Sequence, residues 1–252
     1  MSQTLLLSSN TTDFTTNLSP SIPLENYKRY EAALLSIDLY NSIPNVTGAN
    51  NIFKYSIDNG TNWKARILDI GSYQLQAIND EIQRQMVIND DYKRESNEFY
   101  ISITANISEL KSIINISNAS YKVDFTVKDS IGSILGFDTI ISHGYNKSQK
   151  IVNITSINSV LVNVDIISRS YVNGNQSPAI YSFSPNSVPP GFFISEHPNP
   201  PIYYPLNRSY INSIKVWLTD QNNNLIDLRG ETITGRLCIR EIENIKQQLK
   251  KQ

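Results

Sequence analysis

"VWLTDQNNNLIDLRGETITGRLCIREI", residues 216–242, is the stretch on which the fold turns. At its left end Val216 and Leu218, with Ile214 before them, share one face, while Lys215, Trp217 and Thr219 share the other. Asp220, Gln221 and three asparagines interrupt the pattern. Beyond them Ile233, Gly235, Leu237 and Ile239 alternate with Thr234, Arg236, Cys238 and Arg240. Period-two alternation on both sides of a polar break predicts a β-hairpin with one buried face.

Working outward, short alternating runs dominate the chain. "YEAALLSIDLYNSIPN" carries Leu35, Ile37 and Leu39 and stops at Pro44. "NIFKYSIDNGTNWKARILDI" holds two extended runs around Asp58-Asn59-Gly60, a strong turn signal. "EFYISITANI", "LKSIINI", "YKVDFTV", "KIVNIT", "SVLVNVDII" and "AIYSFS" continue the series. "SIGSILGF" fits a short helix or a buried strand. One amphipathic helix is predicted in "YQLQAINDEIQRQMVI", with Leu75, Ile78, Ile82 and Met86 on one face and Ser72 as N-cap. Asp80, Glu81 and Arg84 read as its solvated face. The Pro-rich connection from Ser184 to Pro205 must be an ordered loop or an edge, because Pro lacks the backbone donor. These elements predict an all-β class: a jelly-roll β-sandwich with one inserted amphipathic helix. The expected organisation is a flexible N-terminal arm over residues 1–30, one jelly-roll domain over 31–242, and a polar C-terminal tail over 243–252.

The composition narrows function by exclusion. The chain has 252 residues, 18% charged, with a net charge of −1 and a pI near 6.1. No global attraction to nucleic acid or anionic membrane follows. Cys238 is the single cysteine, so no intrachain disulfide forms. The first residues lack a basic n-region and no segment approaches a membrane span, which favours a reducing compartment. Asn45, Asn106, Asn115, Asn118, Asn153 and Asn207 begin N-x-S/T triplets, best explained by a sequence saturated with Asn and Ser.

No catalytic constellation emerges. His143 and His197 lie near no nucleophile motif and read as surface or hydrogen-bonded residues. Asp220, Asn222, Asn224 and Glu231 match calcium-loop spacing, but Leu225 occupies the position that needs Gly. The pairs Asp90–Asp91 and Glu241–Glu243 are expected in solvent. No cofactor and no metal is predicted.

Taken in order, "NSIPNVTGANNIFKYS", "GSYQLQAINDEIQ", "LKSIINI", "YKVDFTVKDSIGSILGF", "INSVLVNVDII" and "WLTDQNNNLIDLRGETITGRLCIREI" resemble blocks of a minor capsid protein. The resemblance is to the single-jelly-roll penton proteins of Polinton (Maverick) elements and adintoviruses, which are similar to virophage pentons. It covers about Leu35 to Ile242, and "SIGSILGF" and "WLTDQ…DLRGETIT" are its most specific pieces. It implies a non-enzymatic virion protein that forms homopentamers at icosahedral vertices beside a double-jelly-roll major capsid protein. Assembly would take place in the host cytosol or nucleus. Trp217, Arg236 and Arg240, outward on the terminal strands, become candidate self-assembly contacts, and the arm would thread beneath neighbours without being needed by the core. The alternative is a jelly-roll carbohydrate- or ligand-binding module with Tyr203 and Tyr204 on a rim.

Overall fold

A computed structural model describes every residue except 1, 26, 97, 156, 169 and 243–252, so the expected C-terminal tail lies outside the described residues. The chain divides into two compact units, Met1–Ile43 with Ile157–Gln252, and Pro44–Ser156. The single domain expected over 31–242 is thus corrected.

In chain order the first unit begins with β1 (Ser2–Ser9), β2 (Asp13–Pro23) and β3 (Arg29–Tyr40). The second unit holds β4 (Ile52–Ser56), β5 (Lys64–Ile67), α1 (Leu75–Ile88), β6 (Ile101–Asn106), β7 (Lys111–Ile116), β8 (Lys122–Asp124), α2 (Gly132–Leu135), β9 (Ile141–Ser142) and β10 (Tyr145–Lys147). The first unit resumes with β11 (Val160–Val164), β12 (Ser170–Val172), β13 (Asn175–Ser177), β14 (Ala179–Phe183), β15 (Phe193–Glu196), β16 (Tyr204–Pro205), β17 (Tyr210–Thr219) and β18 (Ile233–Ile242).

The first unit is a jelly roll. Its front sheet runs β1-β18-β3-β15, with β16 also on β3, and its back sheet runs β2-β17-β11-β14. All these pairings are antiparallel. Read along the chain, the eight main strands go front, back, front, back, back, front, back, front. That order is what two interlocked Greek keys produce. The inner faces meet in one core that includes Leu7, Ile22, Leu34, Ile37, Val162, Ile214, Leu218 and Leu237.

Two expectations fall here. The alternation in residues 214–239 was right: Ile214, Leu218, Ile233, Leu237 and Ile239 are buried. The hairpin was not, because β17 pairs with β2 and β11 while β18 pairs with β1 and β3. The polar break carries the chain from one sheet to the other. Alternation reports which face is buried, not which strand is the neighbour.

The flexible arm is also corrected. Residues 2–9 and 13–23 are edge strands, one in each sheet, and Leu7 and Ile22 enter the core. In β2 the inward Phe14, Leu18 and Ile22 stand four apart among Ser, Thr and Asn, and in β1 Leu6 interrupts the alternation of Leu5 and Leu7, so neither run registers as amphipathic.

The second unit, lying in sequence between β3 and β11, is larger than the single inserted helix foreseen. Its four-stranded sheet runs β5-β4-β8-β9 and a three-stranded one runs β10-β7-β6. Leu75, Ile78, Ile82 and Met86 of α1 are buried with Ile101, Ile103 and Ile114. The helix starts from Gln74, not from the expected Ser72 cap. Asn79 explains how the edge strand beneath it is closed: its Oδ1 accepts the Ile103 N–H at 2.7 Å. "SIGSILGF" resolves into the short helix α2, ended by Gly136 at φ 80°, where an added Cβ would stand 2.4 Å from the Lys150 carbonyl oxygen. Asn59 and Gly60, at φ 62° and 90°, make the β4–β5 turn as predicted. "KIVNIT" forms no strand; Val152 and Asn153 instead donate to the Leu110 and Ile134 carbonyls.

Asp91, expected in solvent, is buried. It accepts from the Tyr55 hydroxyl at 2.6 Å and from the Lys64 ammonium at 2.6 and 2.8 Å. A carboxylate leaves water only when its lone pairs are used this way. Its partner in sequence, Asp90, stays exposed and pairs with Arg94.

Deleting residues 1–23 strips one edge strand from each sheet of the jelly roll, so we expect loss of the cooperative thermal transition by circular dichroism. A deletion mutant that melts cooperatively near the parent temperature would restore the arm reading. A second expectation concerns alkaline pH. Burial, then the Asp91 carboxylate, pushes the Tyr55 hydroxyl above the usual phenol range. Burial, then the charge of Asp91, raises Tyr121 to about 12. Both groups favour the folded state while neutral, so this stabilisation is whole below pH 10.0 and fades as pH rises toward 12. Tyr121→Phe should flatten that alkaline limb in unfolding titrations, and an unaltered limb would show that Tyr121 does not contribute.

Candidate assembly surface

The outer face of the front sheet carries two of the three candidate contacts. Arg240 on β18 donates from Nε to Glu31 on β3 at 2.6 Å, and its guanidinium lies 3.4 Å from the Tyr203 ring centroid. Tyr203 belongs to the Pro-rich connection, which therefore lies over this face. Its hydroxyl reaches Cys238 Sγ at 3.9 Å, and Ser2 Oγ stands 3.4 Å from the same sulfur. Beneath this cover Ala33 and Cys238 are buried although they point away from the core. Burial, then the Cys238 sulfur, raises the Tyr203 pKa. Lys28 is held nearby by Glu25 at 3.0 Å and Glu241 at 3.2 Å.

Arg236 differs. It is exposed on β18, directly opposite Leu6 of β1, which is 64% exposed, and among the described residues nothing pairs with its guanidinium. Trp217 lies elsewhere, on the outer face of the back sheet, half-buried with the Lys215 ammonium 5.4 Å from its ring. Lys215 in turn pairs with Asp13 at 3.0 Å. The three candidates do not converge on one patch. Two are occupied within the chain and one is free.

At the far edge of the front sheet stand residues that the sequence reading passed over. Tyr40 and Phe193 form an edge-on pair with centroids 5.2 Å apart, and Phe192 beside them is exposed. Ser195 Oγ donates to Asp38 Oδ1 at 2.5 Å and lies 3.1 Å from His197 Nε2. The signal was present in "FFISEH", where Ile194 alternates with Phe193 and Ser195, but four residues between prolines are too short a run to weigh.

Other candidate chemistry resolves into structure. Asp220 Oδ1 accepts the Asn222 and Asn224 N–H groups at 2.8 and 2.9 Å, and Oδ2 accepts the Asn224 amide at 3.0 Å. The calcium-like spacing is an Asx-stabilised crossing between sheets. Among the described residues no group of three His, Cys, Asp or Glu is placed to hold a metal ion. His143 is exposed. Tyr203 is covered by Arg240 and Tyr204 packs against the core, so neither forms an open aromatic rim. The side-chain nitrogen of Asn45 donates to the Tyr73 and Ile154 carbonyls, and that of Asn207 to the Ile167 carbonyl at 3.1 Å.

With this geometry in hand, the chain can be set beside known proteins. No protein-family model matches it, and no curated protein does. Among solved structures it is similar to the crystal structure of a selenomethionine-labelled mavirus penton protein, at 13% identity and a TM-score of 0.48, over 96% of this chain and 100% of that one.

The Arg240–Tyr203 contact yields a direct expectation. Arg240→Ala uncovers the Tyr203 ring and loosens the strap, so Cys238 should react faster with a thiol reagent in the folded protein, by about tenfold for a change of about 1.4 kcal/mol in local opening. Labelling at the parent rate would mean that the strap is held by other contacts.

Proposed function

We propose that this chain is a structural, non-enzymatic subunit of an icosahedral virion, a penton-type minor capsid protein that forms homopentamers at the vertices. The observation that carries the reading is the strand order β1-β18-β3-β15 against β2-β17-β11-β14, a complete jelly roll. Such a wedge offers unlike flanks that can pack around a symmetry axis. Fold alone leaves function open. Added support comes from the ordered sequence blocks that resemble Polinton and virophage pentons, and from polar side chains spent on holding strands and crossings. Neighbours would be trimers of a double-jelly-roll major capsid protein.

The test is the solution mass of the full chain by light scattering after gel filtration, with negative-stain images of the peak. A ring near five times the 28.5 kDa chain mass is the expected result. A monomer that also stays out of particles when produced with a major capsid protein would overturn the reading. A sugar-dependent thermal shift in such a monomer would favour a binding module instead.

A further inference from the structure

The dipeptide Asn-Gly occurs twice in the chain, at 59–60 and at 173–174, and each forms the tip of a hairpin. Asn59 and Gly60 stand at φ 62° and 90°, Asn173 and Gly174 at φ 50° and 80°. An asparagine followed by glycine carries its own chemistry, because the glycine backbone nitrogen is shielded by no side chain and can attack the asparagine Cγ. The new N–Cγ bond closes a five-membered succinimide while the Cγ–Nδ2 bond breaks and ammonia leaves. Water then opens the ring at either carbonyl, giving aspartate or isoaspartate with no change of oxidation state. The attacking N–H gives its proton to hydroxide, so the reaction quickens as pH rises.

The two tips are placed oppositely for this reaction. Gly60 spends its N–H on Ser56 Oγ at 2.9 Å, and Asn59 donates its own to the Ser120 carbonyl at 2.7 Å. Asp58 Oδ1 accepts the Asn62 N–H at 2.8 Å and closes the same loop. Strand β4, which leads into this tip, lies between β5 and β8. A Cβ added at Gly60 would stand 3.5 Å from the Trp63 ring.

The second tip is open. Among the described residues nothing accepts the Gly174 N–H, and a Cβ added there would meet nothing within 4 Å. β12 and β13 pair over three rungs as a two-stranded sheet of their own. Residues 173–176 are exposed and Tyr171 is 68% exposed, so little apolar burial holds this hairpin shut. A lone two-stranded hairpin is marginal in water and opens more often than one built into a larger sheet.

We propose that Asn173 is a site of spontaneous modification in the folded protein: the Gly174 nitrogen attacks it from the opened hairpin, and the tip becomes aspartate or isoaspartate. Asn59 is spared because its glycine N–H is committed and its hairpin stays closed. Either product puts a carboxylate where the chain had a neutral amide. Isoaspartate also adds one carbon to the backbone inside a two-residue turn, which displaces the Val172–Asn175 rung.

The experiment incubates the full folded chain at neutral and at mildly alkaline pH and follows both sites by peptide mass mapping, which reads the amide-to-acid mass gain. A sample in denaturant, where both tips are open, is the reference. In the folded chain Asn173 should convert at least about tenfold faster than Asn59, and in denaturant the two should convert alike. Asn173→Gln should abolish the fast site, and alkaline pH should quicken it. Conversion of both sites at one rate in the folded chain would overturn the proposal. So would a folded chain in which Asn173 stays intact while the denatured sample converts.

Discussion

The jelly roll depends on one constraint: every long strand in it has a single apolar face, and all of those faces must share the narrow space between two sheets. Facing sheets sit about 10 Å apart, so the inner residues of front and back interdigitate in one layer. Leu7, Leu34, Ile37 and Leu237 supply the front of that layer, and Val162, Ile214, Val216 and Leu218 the back. Satisfying it forces the chain to change sheets at most of its turns. The polar crossings, Asp220 with its asparagines among them, follow from that need. Asp220 spends one carboxylate oxygen on two backbone N–H groups of its own loop because a crossing has no ladder to satisfy them.

Much of this was legible in the sequence, and the failures share a cause. Alternation identified the buried faces of β17 and β18, since burial is a property of each residue and its period. Pairing is a property of distant segments, so the same alternation suggested a hairpin where the structure has a change of sheet. β1 and β2 were taken for an arm because an edge strand in a Ser- and Thr-rich stretch needs few large apolar residues. The helix was found and its cap misplaced by two residues, the ordinary uncertainty of helix ends. Asp91 was missed because nothing local announces that Tyr55, Lys64 and Asp91, separated by up to 36 positions, will meet.

The candidate surface was legible only in part. Alternation placed Arg236 on the outer face of its strand, and it is exposed there. The pattern could not separate Arg236 from Arg240, whose partner Glu31 lies 209 residues away, or from Trp217, which faces out from the other sheet. The difference between an occupied cation and a free one belongs to tertiary structure. The aromatic edge at Tyr40 and Phe193 was hidden for a further reason: its strand is four residues long and sits within a segment whose prolines argued for a loop.

The register between β1 and β18 joins Ser2 to Arg240, so the first strand of the chain is closed by the last. Ser2 and Cys238 on these two strands are 236 residues apart, so during synthesis β1 stays without this partner until β18 has left the ribosome. Contacts of such long sequence separation close slowly, and an unpaired strand edge is open to wrong partners meanwhile. A more hydrophobic first strand would pack better in the finished sheet and be more hazardous in the nascent chain. The Ser, Thr and Asn content that made this segment look unstructured is thus what a strand with a long wait requires. The finished β1 edge is presented only after β18 has docked, so the order of folding itself sets the earliest moment at which that edge exists.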